Sequence, residues 1–141
     1  MRPRLLIAAG LALGALIAMR SVPASAHHSF AAEFDGSKPI TLKGVVTQID
    51  WTNPHVWFYI QVKGDEGKNV RWGCEMGAPH QLQQRGWLRD SMKVGDVVTC
   101  VGSLARDGSK RANARTVTTA DGKTLGAASS GETPSSQQQQ R

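Results

Sequence analysis

The chain has 141 residues, with 17 Lys+Arg against 11 Asp+Glu and a formal net charge of +6. That length supports one domain with a small core. A basic excess would suggest nucleic acid, because phosphate neutralisation dominates such binding. Arg2, Arg4 and Arg20, however, fall in a segment read below as discarded; 17 less these three leaves 14 against 11, net +3, and nucleic acid is excluded as the expected partner.

Arg2 and Arg4 precede an apolar run from Leu5 to Met19, broken by Gly10 and Gly14, and the small-residue triplet Ala24-Ser25-Ala26 follows. A positive start, a short apolar stretch and an A-x-A site define a secretory signal peptide, expected over residues 1–26. The run is shorter than the roughly 18 apolar residues of a membrane span, so no stable membrane anchor is expected. No cysteine sits near the site and no Arg-Arg pair precedes it, which favours general export over lipidation or the twin-arginine route. The expected location is the periplasm, and cleavage after Ala26 makes His27 the first residue.

The mature domain is expected over residues 27–125. "ITLKGVVTQIDW" (Ile40–Trp51) is rich in β-branched residues, and its internal Gly44 suggests a bulge or sharp bend. "HVWFYIQVK" (His55–Lys63) alternates, with Val56, Phe58, Ile60 and Val62 on one face and His55, Trp57, Tyr59 and Gln61 on the other. The turn Gly64–Gly67 leads to a third strand, Lys68–Met76, in which Val70, Trp72, Cys74 and Met76 share a face. "APHQLQQRGW" (Ala78–Trp87) predicts a short helix, with Pro79 at its start, Leu82 as its one apolar contact and Gly86 as its stop. Val94–Ala105 and Ala112–Gly122 return to strand. The order β-β-β-α-β-β predicts an all-β fold, a small five-stranded Greek-key barrel (OB-like) with one short helix between strands 3 and 4. An open sandwich is the alternative. From Gly126 to Arg141 no large apolar residue occurs, and a disordered polar tail is expected there.

Cys74 and Cys100 are the two cysteines, and in an oxidising compartment a disulfide between them would staple a small core. Closing such a loop contributes roughly 3–4 kcal/mol in the chain-entropy model. Free thiols, one of them a soft metal ligand beside Met76, are the rival reading.

Four histidines carry the candidate chemistry: His27, His28, His55 and His80. As first residue, His27 would offer an α-amine and its own imidazole, groups that titrate near about pH 8 and 6.5 and therefore yield protons to a metal near neutrality. His28 adds a second imidazole and His55, opening the second strand after Asn53-Pro54, a third. A nitrogen-rich site favours Cu(II) among divalent first-row metals. His80, at the start of the helix, is a possible additional ligand. Each histidine also has a purely structural reading. Trp51, Trp57 and Tyr59 form a candidate ligand or partner face, whose plainer reading is packing. Asp50 and Glu75 end different strands and could approach each other, which the sequence leaves open. No nucleophile elbow, Cys-x-x-Cys, phosphate-cradling glycine loop or helical-turn pair of acids occurs, so no enzyme is expected.

"AHHSFAAEFD", "LKGVVTQIDWTNPHVWFYI" and "GAPHQLQQRGWLRDSMKVGDVV" together resemble a family of small exported bacterial proteins known only as a domain of unknown function. The resemblance spans the mature domain and rests most on the paired histidines and Trp-Thr-Asn-Pro-His. Its matching positions are His27, His28, Trp51, Asn53, Pro54, His55, Pro79, Gly86 and Trp87. It implies export and a five-stranded barrel. Asparagine is common in the family at the place of His80, and cysteines are not a fixed feature, so the ligand set it favours is His27, His28 and His55. The expectation is a periplasmic monomer that binds copper or a similar metal for carriage, buffering or delivery. The alternative is an envelope adaptor or organic-ligand binder with no metal.

Overall fold

The computed structural model describes residues 30–129. The expected signal peptide, His27, His28 and the chain from residue 130 lie outside the described residues. A four-residue helix, α1 (Phe30–Glu33), opens the described chain. It is followed by β1 (Phe34–Asp50), β2 (Trp57–Lys63), β3 (Asn69–Glu75), α2 (Pro79–Gln84), β4 (Val97–Ala105), β5 (Arg111–Thr118) and β6 (Thr124–Gly126). The fold is mostly β. No helix among the described residues is long and apolar enough to cross a membrane.

The 17-residue β1 pairs with two strands. Its inner part alternates, with Leu42, Gly44 and Val46 buried and Lys43, Val45 and Thr47 exposed. Gly44 lies between Val62 of β2 and Val98 of β4, antiparallel to both. A methyl group there would sit 2.4 Å from the Gln61 carbonyl oxygen, so close approach of backbone requires glycine at this position. The register slips next to it, between Val46 and Gln48, as a bulge does.

The sheet runs β3-β2-β1-β4-β5-β6, and a parallel pairing of β3 with β5 closes five of its strands into a ring. That closure answers the expected number of strands and rules out an open sheet. β6, which pairs with β5 at Thr116–Thr118, is a sixth strand that was not anticipated. Its three residues are too few to leave a periodic signal.

Inside the ring, Phe58 and Ile60 from β2, Cys74 from β3, Val98 from β4 and Val117 from β5 are almost fully buried. Burial of each large apolar side chain contributes about 1.5–3 kcal/mol. α2 supplies Leu82 and ends at Gly86 with φ +90°. Trp87 follows, buried to 1% exposure, and its indole Nε1 donates to the Gly126 carbonyl at 2.8 Å. That bond, with Gly77 donating to Ala127 at 2.8 Å, draws the segment after β6 onto the fold. The segment after β6 is therefore packed where the composition suggested disorder: Ala127 and Ser129 are buried.

Cys74 and Cys100 are both buried, as free thiols. They come from strands that are not hydrogen-bonded neighbours, and they meet across the interior. A hydrogen bond with Cys100, together with burial, holds the Cys74 thiol well above the ordinary thiol range. The raised value keeps it protonated near neutral pH.

Crowding at Gly44 yields a direct expectation. Gly44→Ala should destabilise the protein by about 1–3 kcal/mol, as overpacking against backbone does. Gly36→Ala, whose nearest neighbour would be a Phe30 ring atom at 3.7 Å, should be close to neutral. Urea unfolding of the two variants checks this, and equal midpoints would contradict it.

Candidate functional site

Because β3 pairs with β2 on one side and β5 on the other, three strands present a common outer face. Trp57, Tyr59 and Gln61 of β2 stand opposite Glu75, Gly73 and Arg71 of β3. Gly73 and Glu75 in turn stand opposite Arg111 and Asn113 of β5. Outer positions of a strand are normally wet, yet Glu75 and Asn113 are only 7% and 1% exposed. Phe30, Glu33 and Phe34 cover them, the two phenylalanines stacked at 5.9 Å, and Ser129 closes the edge.

Under this cover His55 meets Glu75, with Nδ1 against Oε1. His55 lies in the loop after the cis Asn53–Pro54 bond, two residues before β2 begins. Its neighbour Val56 extends the ladder, donating to Gly77 at 3.1 Å and accepting from Met76 at 2.8 Å. Alternation then sends His55 to the outer face while Val56 goes inward, as the sequence predicts. Burial, the largest influence, raises the Glu75 pKa; the charge of His55 and hydrogen bonds from His55 and Asn113 lower it, the Glu33 carboxylate raises it, and it stays above the ordinary value. Ionised Glu75 accepts the Nδ1 proton of His55, which orients the ring. The other nitrogen, Nε2, has no hydrogen-bond partner among the described residues, and the side chain is 25% exposed. Asn113 Nδ2 donates to Ser129 Oγ at 3.4 Å, whereas its Oδ1 is buried with no hydrogen-bond partner among the described residues.

Along the same face lies an open groove of about 430 Å³ lined by Trp57, Tyr59, Arg71, Gly73, Lys110 and Arg111. Arg111 belongs to both regions, pairing with Asp107 at 2.8 Å and with Glu33 at 3.7 Å.

Of the expected ligands, only His55 falls in the buried polar cluster; His27 and His28 lie outside the described residues. His80 is exposed on α2 and does not line that cluster, because it precedes the one residue, Leu82, by which the helix packs. Among the described residues no group of three or more His, Cys, Asp or Glu could hold a metal ion. Trp57 and Tyr59 share the groove, but Trp51 does not line it: Trp51 packs against the core, its Nε1 buried with no hydrogen-bond partner among the described residues. Asp50 accepts from Gln48 at 2.9 Å, and the partner of Glu75 is His55. Glu75, Asn113, Arg71 and Lys110 were not expected in sites. The β2–β3 hairpin register, which places Glu75 opposite Trp57, is the signal that could have found Glu75.

A model of the family of unknown function DUF6152 matches residues 15–114, and the chain belongs to that family. No curated protein matches it. Among solved structures, the crystal structure of the ZRD-deleted mutant of TiaS in complex with agmatine is similar over 70% of this chain and 24% of that one, with 19% identity and a TM-score of 0.40. The chain thus spans about a quarter of that protein's length.

The turn that orients Arg111 titrates in acid. Hydrogen bonds from the Ser109 side chain and backbone, then from Arg111, lower Asp107 from 3.8 to about 2. A lowered carboxyl stabilises the fold above its unfolded value and loses that contribution as pH falls through its folded value. The stability gap between the native protein and Asp107→Asn should therefore be constant above about pH 5, narrow as pH falls below 3.8 and vanish below about 2. Denaturant titrations across that range measure it.

Proposed function

We propose that this member of DUF6152 is an exported binding protein that takes copper, or a similar transition metal, through His27, His28 and Nε2 of His55. The carrying observation is the His55–Glu75 pair. Metal-ligating histidines characteristically give their second ring N–H to a carboxylate, which fixes tautomer and ring direction. Glu75 does this here and leaves Nε2 open. Phe30 covers the same cluster, and His28 stands two residues before it in the sequence. The amine and imidazole of His27, if signal cleavage falls after Ala26, complete a nitrogen-rich set suited to Cu(II). The role is carriage, buffering or delivery in the periplasm, without turnover.

The same reading takes the closed ring as a Greek-key barrel of the oligonucleotide/oligosaccharide-binding type. Its support is the parallel β3–β5 pairing together with a short helix between β3 and β4. In an oxidising envelope, Cys74 and Cys100 then close to a disulfide, each thiol giving up a proton and an electron to a thiol–disulfide oxidoreductase.

Copper titration of protein whose mature N-terminus has been verified by mass spectrometry tests the metal site. His55→Ala should abolish tight binding, and one extra residue before His27 should weaken it sharply. Glu75→Gln should cost about 10–100-fold in affinity while leaving the fold intact. Equal affinity in all four proteins would overturn the reading.

Intact mass of protein purified from the envelope tests the disulfide. The expected product is two hydrogens lighter than the reduced chain and takes up no alkylating agent when unfolded. Two alkylated cysteines would leave the pair as core thiols.

A further inference from the structure

The groove beside the histidine cluster is a separate feature, and its chemistry differs. Trp57 and Tyr59 lie side by side, centroids 6.4 Å apart and planes 22° from parallel. Their rings can lie across β3 because residue 73 is glycine. A Cβ there would come within 3.2 Å of Tyr59 Cε1 and 3.5 Å of Trp57 Cζ3. The product is an aromatic floor at the centre of a sheet face.

The rim of that floor is cationic and unbalanced. Arg71 sits with its guanidinium carbon 4.3 Å from the centre of the Tyr59 ring, and one of its nitrogens donates to Gln48 at 2.8 Å. Lys110, in the β4–β5 turn, holds its ammonium 5.1 Å from the Trp72 ring. Neither cation has a carboxylate partner among the described residues, and no acidic residue lines the groove. Arg111 is the contrast, its charge being answered by Asp107 and Glu33. Two exposed cations held over rings, with no counter-charge, provide an anion site next to a surface that stacks flat rings.

We propose that this groove binds a small ring-bearing organic anion: a sugar or aromatic ring rests on Trp57 and Tyr59, and its carboxylate or phosphate is held by Arg71 and Lys110. The volume, about 430 Å³, suits one to a few rings and lies within the usual range for small-ligand sites. The site is independent of the metal reading, since it uses none of His27, His28, His55 or Glu75. A single-stranded nucleic acid would also use rings and cations, but over a longer charged track. The paired Arg111 leaves only two unanswered cations here, which favours a small molecule.

The test uses the full mature chain, ¹⁵N-labelled, titrated without copper and again with copper present. Trigalacturonate probes the acidic-sugar source and 4-hydroxybenzoate the aromatic-acid source. Maltotriose is the uncharged control, and a short oligodeoxythymidine is the nucleic-acid arm. At least one of the two anions should shift the resonances of Tyr59, Gly73 and Lys110, with the same affinity in both conditions. Arg71→Gln and Lys110→Gln are exposed substitutions that leave the core untouched; each should weaken binding by about tenfold, the loss of one charge-assisted bond. Trp57→Ala should weaken it further. The proposal is overturned if neither anion shifts these residues, if maltotriose binds as well as the anions, or if the oligonucleotide binds more tightly than both.

Discussion

The parallel pairing of β3 with β5 is the constraint on which the rest of the molecule depends. Only three residue pairs make it, Gly73 with Arg111, Cys74 with Ala112 and Glu75 with Asn113. Without it, the antiparallel sheet would end in an open edge at β3. With it, five strands share one interior, and edge groups that would otherwise need water find partners. At the seam the inward pair is small, Cys74 facing Ala112 with both fully buried, and in the adjoining β4–β5 ladder Gly102 stands where a Cβ would lie 2.0 Å from the Asn113 carbonyl oxygen. Close backbone approach is what lets a short chain complete the ring.

The same three pairs build the outer face. Gly73 opens the floor on which two aromatic rings lie, Arg111 links that floor to α1 through Glu33, and Glu75 and Asn113 occupy the covered end. A buried carboxylate is costly unless it is partnered. Glu75 has two partners, His55 and Asn113, and with burial and the Glu33 carboxylate against them its pKa still stays raised. Such an arrangement is poor economy for stability alone, since an apolar residue of similar size would often serve the fold as well. What it does secure is the direction of the His55 ring. That is the physical reason for reading the pair as part of a site.

The two ends of the face divide by chemistry. One is enclosed, polar and rich in groups that accept or exchange protons. The other is open, aromatic and cationic. They adjoin at Trp57, which pairs with Glu75 in the ladder, and at Arg111, which lines the groove while reaching toward Glu33.

Local patterning determined a good deal. Period-2 alternation put Phe58 and Ile60 inside and His55, Trp57 and Tyr59 outside, because successive side chains on a strand must point to opposite faces. Pro79 and Gly86 bounded the short helix, since proline suits a first turn and glycine a positive φ. Gly44 marked a close backbone approach in β1, two residues before a register shift. Membership of the family could likewise be read from the histidine pair and Trp-Thr-Asn-Pro-His, although a family without an assigned activity names no chemistry. What tertiary structure alone decided was everything that depends on non-local register. The meeting of His55 with Glu75, the covering of both by Phe30 and Phe34, the removal of Trp51 from the ligand face, the packing of Ala127 and the approach of Cys74 to Cys100 all join residues from separate elements. A sequence prescribes the period of each strand. Which strand lies beside which, and at what offset, is settled by the closure of the ring as a whole.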